Sequence, residues 1–515
     1  MQRVKNANHS EPADGTSNET ILLVADSLLG TKFWEKFVSI NRKRANRNYS
    51  FASFSAERSR VYKALISNIE TIDFSPCIQN YGATHRPTAD LEAAAMRFES
   101  EYGINIMDLV QADRHLGRGC YYSGGRHMKS LLASKANYWD SVSLIMELSE
   151  QLQQVFSERV VKAVVLGGVA SLPTKLICVV ARKNNVPIRR LSTGRLGSLY
   201  YWADDEFMRH SRISRDYIEA QPESNSDVDK LGGYRSVQRA RSSFMPLFTG
   251  RGVLSRLFRV AYSESRRAVG FFLFKERHKA IDSYFLHQKL LFPLNVYFEH
   301  RKLSRLVAKE ASALPDKYVF LPLHVEPEAA LVILSPEFNS QVALIDFISK
   351  SLPAGVFLVI KENPIAVGRR PRGFYEWLAS IPNVHLVGLG VSGFELAQGS
   401  AVTVTITSTA GFEASALGTP VVTFGQNNLY NALDHVRLIT DLREIRPTIR
   451  EFLRFTPEQR RKASIQGGKL VSAIRSICVD IGDHGLRDEE AVIKLEEAFD
   501  QSLRSNVESN RLEQM

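Results

Sequence analysis

The chain has 515 residues, 44 % apolar and 23 % charged, a globular composition long enough for several domains that excludes a disordered, collagenous or coiled-coil protein. Its four cysteines, at 77, 120, 178 and 478, have neither zinc-knuckle nor CxxC spacing, which excludes a disulfide scaffold and favours a reducing compartment. The formal charge of +11 is concentrated in one place: 230–309 holds seventeen basic and four acidic residues, a net of +13, against −2 for the remainder.

Residues 1–19 are polar, read as disordered, and lack the apolar core of a secretory signal. A first α/β domain is expected over 20–225. ILLVADS (21–27) is a buried strand ending in a polar turn, followed by a helix-like FWEKFVSINRKR. VVKAVVLGG (160–168) is a second strand, LPTKLICVVARKNN (172–185) a helix and VPIRRLS (186–192) a third strand, an order that favours a parallel sheet. QPESNSDVDKLGG (221–233) has the composition of a loop.

A basic helical region with a linker helix is expected over 226–314. Its basic residues alternate with bulky apolar ones, as in FMPLFTGRGVLSRLFRVAYSESRRAVGFFLFKERHK. Such a segment suits an anionic membrane surface, and it equally suits a solvated helix that buries its Phe and Leu face. Nucleic acid is disfavoured, because no recognised binding motif accompanies the charge. No apolar run reaches the roughly 18 residues of a membrane span, so a cytoplasmic protein is expected, soluble or peripheral on the inner face of the cell membrane.

The most regular stretch, 315–455, predicts a doubly wound, Rossmann-like domain. KYVFLPL, GVFLVI, VHLVG, AVTVTIT and PVVTFG are strands, and NSQVALIDFISKSL, FYEWLASI, VSGFELAQG and GFEASALG are the helices between them. Closing helices follow over 456–503, and 504–515 has the composition of a disordered tail.

In a parallel sheet the loops after the strands lie along one edge, where ligands bind. Those loops carry His324, Glu326 and Glu328; then Lys361 and Asn363 with Arg369, Arg370 and Arg372; then Ser408, Thr409, Gly411 and Glu413; then Tyr430. Ser408, Thr409 and Gly411 open a helix whose outward N–H groups and dipole would hold a phosphate, or Ser408 is an ordinary N-cap with Glu413 favouring the dipole. Lys361 emerges at the ligand edge or snorkels. His324 is a ligand or a satisfied buried imidazole, and Glu326 and Glu328 are cleft or solvated carboxylates. In the first half, Asp26 and Ser27 end a strand, QADRHLGRG places Asp113 in a loop, and RLGSLYYWADDE groups Arg195, Tyr200, Asp204 and Asp205, each set more often structural than catalytic when read alone. HExxH, GxSxG and Walker A motifs are absent.

At these loops the sequence resembles the bacterial capsular polysaccharide biosynthesis family, which includes Kdo-transferase-like enzymes of GT-B architecture. The resemblance is carried by FLPLHVEPEAAL, SLPAGVFLVIKENP and ITSTAGFEASALGTPVVTFG in that order, with RLGSLYYWADD as a looser match. It implies an α/β fold with a GT-B-like pair of Rossmann-type domains whose parallel sheets face a central cleft. It also implies a nucleotide-sugar donor, CMP- or UDP-linked, on the C-terminal domain, with Lys361 and the 407–411 helix start on its phosphate and Glu326 and Glu328 lining the cleft. Two positions depart from the family pattern: Asn363 replaces a His, and His324 replaces a Gln.

The expected activity is sugar transfer to a lipid-linked or polysaccharide acceptor in capsule or envelope polysaccharide biosynthesis. His324, Lys361, Asn363, Arg369, Ser408, Thr409, Gly411, Glu413 and Tyr430 would serve the donor, and Asp26, Asp113, Glu326 and Glu328 are the catalytic candidates. No cofactor is implied, and no DxD-like metal cradle is evident. A nucleotide-sugar 2-epimerase and a non-catalytic assembly scaffold are the alternatives. Contact with the membrane is expected through 230–309.

Overall fold

The computed structural model describes residues 19–24, 30–45, 47–66, 69–82, 87–113, 126, 128, 137–169, 171–222, 245–274, 284–309, 314–338, 340–482 and 485–513. The first sheet contains β1 (Glu19–Val24), β2 (Asn48–Ser53), β3 (Glu70–Asp73), β4 (Val160–Leu166), β5 (Ile188–Thr193) and β6 (Leu199–Ala203). The second contains β7 (Tyr318–Pro322), β8 (Phe357–Lys361), β9 (Val384–Val387), β10 (Val402–Thr405), β11 (Val421–Thr423) and β12 (Val436–Leu438). A short β13 (Val479–Asp480) returns to pair antiparallel with β6. Strands β1, β7 and β10 read as unbroken apolar or β-branched runs because helices cover both of their faces.

The second sheet is parallel throughout and ordered β12-β11-β10-β7-β8-β9. The first is ordered β13-β6-β5-β4-β1-β2-β3 and is parallel from β3 to β5. Each sheet therefore starts at its centre, grows to one side, then reverses. The reversal lies between β1 and β4 in one sheet and between β7 and β10 in the other. Ligands of such sheets bind in the crevice outside the strand C-termini at that reversal.

Those two edges face each other. Val332, Ile333 and Leu334, in the connection after β7, pack into the core of the first sheet beside Leu166, Val169 and Leu172. The fold is thus an α/β pair of Rossmann-type units with parallel sheets across a central cleft. The last helix, Glu489–Glu513, crosses back to the first unit. Trp202 donates its indole N–H to the Leu495 carbonyl at 2.8 Å, and Phe499 packs against Phe37 and Trp202. That helix runs through 504–513, where composition alone suggests a disordered tail; Arg, Leu and Glu are strong enough helix formers to sustain it.

The expected strands of 317–425 are all present. β2, β3, β6 and β12 were not evident from the sequence, being short or lacking an apolar run. Within 230–309 the described residues form two long helices, Gly250–Phe274 and Leu286–Lys309; 230–244 and 275–283 lie outside the described residues. No helix among the described residues is long and apolar enough to cross a membrane.

The second long helix is fixed to the second sheet. Lys302 pairs with Glu376 at 2.8 Å and Arg126 with Glu299 at 2.7 Å, while Gly368 passes directly under the helix. Gly368 has φ +84°, and a Cβ there would sit 2.8 Å from the backbone N and Cα of Val296. Both the dihedral and the contact demand glycine. Gly368→Ala is expected to destabilise the protein by about 1–3 kcal/mol, read as a lower urea midpoint at unchanged slope. An unchanged midpoint would show that the helix is not held there.

Candidate active site

The loop after β10 is held at the reversal of the second sheet from three directions. The Thr407 N–H donates to His324 Nε2 at 3.3 Å, and the Thr407 hydroxyl donates to the Ala330 carbonyl at 3.1 Å. From across the cleft, Arg195 donates to the Ser408 carbonyl at 3.1 Å and to the Thr407 carbonyl at 3.3 Å. Arg195 stands in the β5–β6 turn with left-handed backbone, φ +59°. A non-glycine residue in that region is strained, and such strain persists where the surroundings impose it. A guanidinium has five N–H donors, so two bonds to carbonyls leave it able to meet an anion in the cleft.

His324 is 6 % exposed. Burial, then the nearby charges of Arg195 and Arg370, push its pKa down to about 3. Since Nε2 accepts from a backbone amide, the ring is neutral with its proton on Nδ1. It positions the loop, and its position under the Thr407 amide favours the buried-imidazole reading.

Beneath it lies a buried ionic network. Arg370, 2 % exposed, donates to both oxygens of Glu362 at 2.8 Å and to the His324 carbonyl at 2.7 Å. Tyr375 donates to Glu362 at 3.1 Å. Glu326 Oε1 accepts from the backbone and side-chain amides of Gln341, and its Oε2 lies 3.4 Å from Arg370. Glu326, a catalytic candidate from the sequence, therefore lies within this network with a partner at each oxygen. Of the residues that fix it, Arg370 is read from the sequence as part of a cationic turn at the ligand edge, while Gln341 and Glu362 are not selected there. The only sequence signal was the charge alternation of KENP with GRRPR.

The helix Thr409–Ala416 begins at this reversal. Ser408 is its N-cap, its Oγ accepting from the Gly411 amide at 3.1 Å and lying 2.7 Å from Thr405 Oγ1. The expectation that Gly411 turns an uncrowded N–H outward is corrected, because that amide is used by the cap. Glycine is required there for packing: a Cβ would sit 2.4 Å from Thr405 Cγ2 and 2.7 Å from the Tyr430 hydroxyl. The Thr409 and Ala410 amides remain as those the helix cannot bond internally. Tyr430 is 1 % exposed and packs near Phe412, with its phenol pushed up to about 12 by burial. The structure thus places this donor-binding candidate in the core.

Glu413, one turn into the helix, is half-buried, and burial raises its carboxyl to about 7 against the opposing pull of Arg195. It is the carboxyl at the reversal poised to change protonation near neutrality.

The other candidates spread out. Lys361, at the end of β8, donates to the Leu389 carbonyl after β9 at 3.1 Å, two strands from the 407 loop. Asn363 caps the turn Pro364–Ala366 by accepting from the Ile365 amide at 3.1 Å. Arg369 lies over the Phe292 ring of the long helix, 5.4 Å from its centroid. Asp113 is 1 % exposed and accepts from the Leu172 amide at 2.9 Å, at the start of the helix Leu172–Lys183. A carboxylate there neutralises a helix N-terminus, and that is where the structure places this candidate base. Glu328 is half-buried and precedes a short helix. Asp26 and Ser27 lie outside the described residues. Arg195, grouped in the sequence with structural neighbours, is the residue that the fold carries to the site; its turn, RLG, gives little sign of that.

Residues 276–432 match a family described as capsule polysaccharide biosynthesis protein. The resemblance read from the loop motifs is thereby supported across both β7 and β10. No curated protein matches the sequence. Among solved structures, a beta Kdo 2,7 transferase, KpsC of Thermosulfurimonas dismutans, is 12 % identical, covering 68 % of this chain and 89 % of its own, at TM-score 0.29. A UDP-GlcNAc 2-epimerase from Neisseria meningitidis, bound to UDP-GlcNAc, is 12 % identical with coverage of 89 % and 98 % and TM-score 0.27. The glycotransferase of kitacinnamycin is 11 % identical, covering 90 % and 98 %, at 0.28. Scores this low do not choose between transfer and epimerisation.

Because the folded Glu413 titrates above its ordinary 4.5, its proton supports the fold fully below about pH 4.5, and that support is lost as pH rises through about 7. Glu413→Gln, which mimics the protonated form, is expected to melt with wild type near pH 4.5 and progressively above it as pH passes 7. Parallel melting curves across that range would place the carboxyl in solvent.

Proposed function

We propose that this protein is a glycosyltransferase that takes a sugar from a nucleotide-sugar donor and passes it to a lipid-linked or polysaccharide acceptor in capsule or envelope polysaccharide biosynthesis. The observation that carries the reading is Arg195, delivered from one unit onto the 407–408 carbonyls of the other beside a helix start and Glu413. This is where the strand order of the second sheet reverses and where an anion with hydroxyls is best complemented.

In transfer, the acceptor hydroxyl loses its proton and bonds to the anomeric carbon while the bond from that carbon to the phosphate oxygen breaks. Negative charge grows on the leaving phosphate. Arg195, the Thr409 and Ala410 amides and the helix dipole meet that charge in place. Lys361, at the end of β8, is a second cation on the same sheet edge. Glu413, protonated near neutrality, offers a donor and an acceptor to a sugar hydroxyl. The acceptor base is assigned to the first unit, with Asp26, two residues beyond β1 in the sequence, as its candidate.

CMP, CDP, UDP and GDP titrated against wild type and Arg195→Ala test the site. One nucleotide is expected to bind wild type and to lose about ten- to a hundredfold in the variant, the worth of hydrogen bonds to a charged group. With the matching sugar nucleotide, donor consumption is expected only when an acceptor glycan is added. Consumption of donor alone would favour an epimerase, and a folded protein that binds none of the four would favour a scaffold.

A further inference from the structure

The helix Gly250–Phe274 buries one narrow face. Val253 and Val260 are 5 % and 6 % exposed, and Glu264 on the same side is held by Lys289 at 2.7 Å. On the far side, about half a turn round the helix at 100° per residue, a second apolar stripe is exposed. Leu254 is 61 % exposed, Phe258 78 %, Tyr262 68 % and Val269 53 %. The first three are spaced at i, i+4 and i+8, so their side chains stand in one row. Arg251, Arg256, Arg259 and Arg266 are exposed on the same helix, and its sequence holds five arginines against the single Glu264. The neighbouring helix Leu286–Lys309 exposes Leu291 and Phe298, seven residues apart on one of its faces.

Scattered apolar residues on a surface need no explanation, but a continuous row rimmed by one sign of charge does. We propose that the outward face of the helix Gly250–Phe274 docks the protein on an anionic phospholipid bilayer. Phe258, Tyr262, Leu254 and Val269 enter the boundary between headgroups and acyl chains, and the arginines pair with lipid phosphates above them. A nucleic-acid backbone would use the arginines and leave the apolar row in water. A second copy of this face across a two-fold axis would set arginine against arginine. The proposal extends the transferase reading by naming where a lipid-linked acceptor is met. Vesicle binding is read without donor or acceptor, so each can fail alone.

The test is sedimentation of the full chain with vesicles of equal parts phosphatidylcholine and phosphatidylglycerol, and with phosphatidylcholine alone. Wild type is expected to pellet with the anionic vesicles, to remain in solution with the neutral ones, and to be released by salt. Removing one arginine, as in Arg259→Gln, is expected to lower the partition coefficient about fivefold. The combined Leu254→Ser, Phe258→Ser and Tyr262→Ser variant is expected to lower it more than tenfold at an unchanged melting temperature, since these side chains are exposed. Wild type left in solution with anionic vesicles would overturn the proposal. So would an apolar-row variant that binds as tightly as wild type, or one whose only change is from dimer to monomer by size exclusion.

Discussion

The cleft depends on one contact, the Arg195 guanidinium on the carbonyls of Thr407 and Ser408. It is made between the two Rossmann-type units, at the reversal point of one and from the β5–β6 turn of the other. Everything around it serves to hold its two ends. The left-handed backbone at Arg195 aims the side chain, and the neutral His324 ring holds the Thr407 amide from behind. Arg370, fully buried, ties the His324 carbonyl to Glu362 and Glu326, so the loop after β7 cannot shift without separating buried charges. An ionic network that deep is a poor source of net stability; what it does here is tie the loop after β7 to the end of β8.

Around that fixed point, charge and burial divide the work. His324 is deprived of its proton by burial and by two cations, and Glu413 keeps its own because burial outweighs Arg195. Two titratable groups at one reversal are thereby driven in opposite directions, each to its neutral form near pH 6 to 7. Their stability contributions oppose one another: that of His324 fades as pH falls below its ordinary 6.5, and that of Glu413 fades as pH rises through about 7. Beside these two groups stands the Arg195 guanidinium, with donors left to receive an anion. A cavity of about 1150 Å³ opens elsewhere, at the N-terminal ends of β1, β4 and β5, where Glu19, Asp204 and Asp205 alternate with Arg47, Arg182 and Arg209. Its mixed charges and its place at the wrong ends of the strands set it apart from the reversal.

Much of the second unit was legible because its strands are apolar runs between glycines and prolines, and their alternation with helices permits few topologies. The loop set that carries His324, Lys361 and Ser408 follows from that alternation alone. What the sequence could not convey was direction. Glu326 and Asp113 look like cleft carboxylates in one dimension, yet one is spent on Gln341 and Arg370 and the other on a helix amide. Tyr430 and Gly411 look like ligand-loop residues, yet each is where it is because the other fills the space beside it. Arg195 was hidden for the converse reason: its partner is two hundred residues away, and no local pattern announces a contact made between units. The basic segment lay between these cases, its charge obvious and its outward apolar row visible only once Val253 and Val260 showed which face is buried.

The measurement that bears most directly on the cleft is amide hydrogen exchange with and without the nucleotide that binds. If a ligand sits at the reversal under Arg195, peptides spanning 405–413 and 194–199 become protected together, one from each unit, while those around 19–21 and 185–188 do not change. Protection confined to the latter, or to one unit alone, would contradict the account.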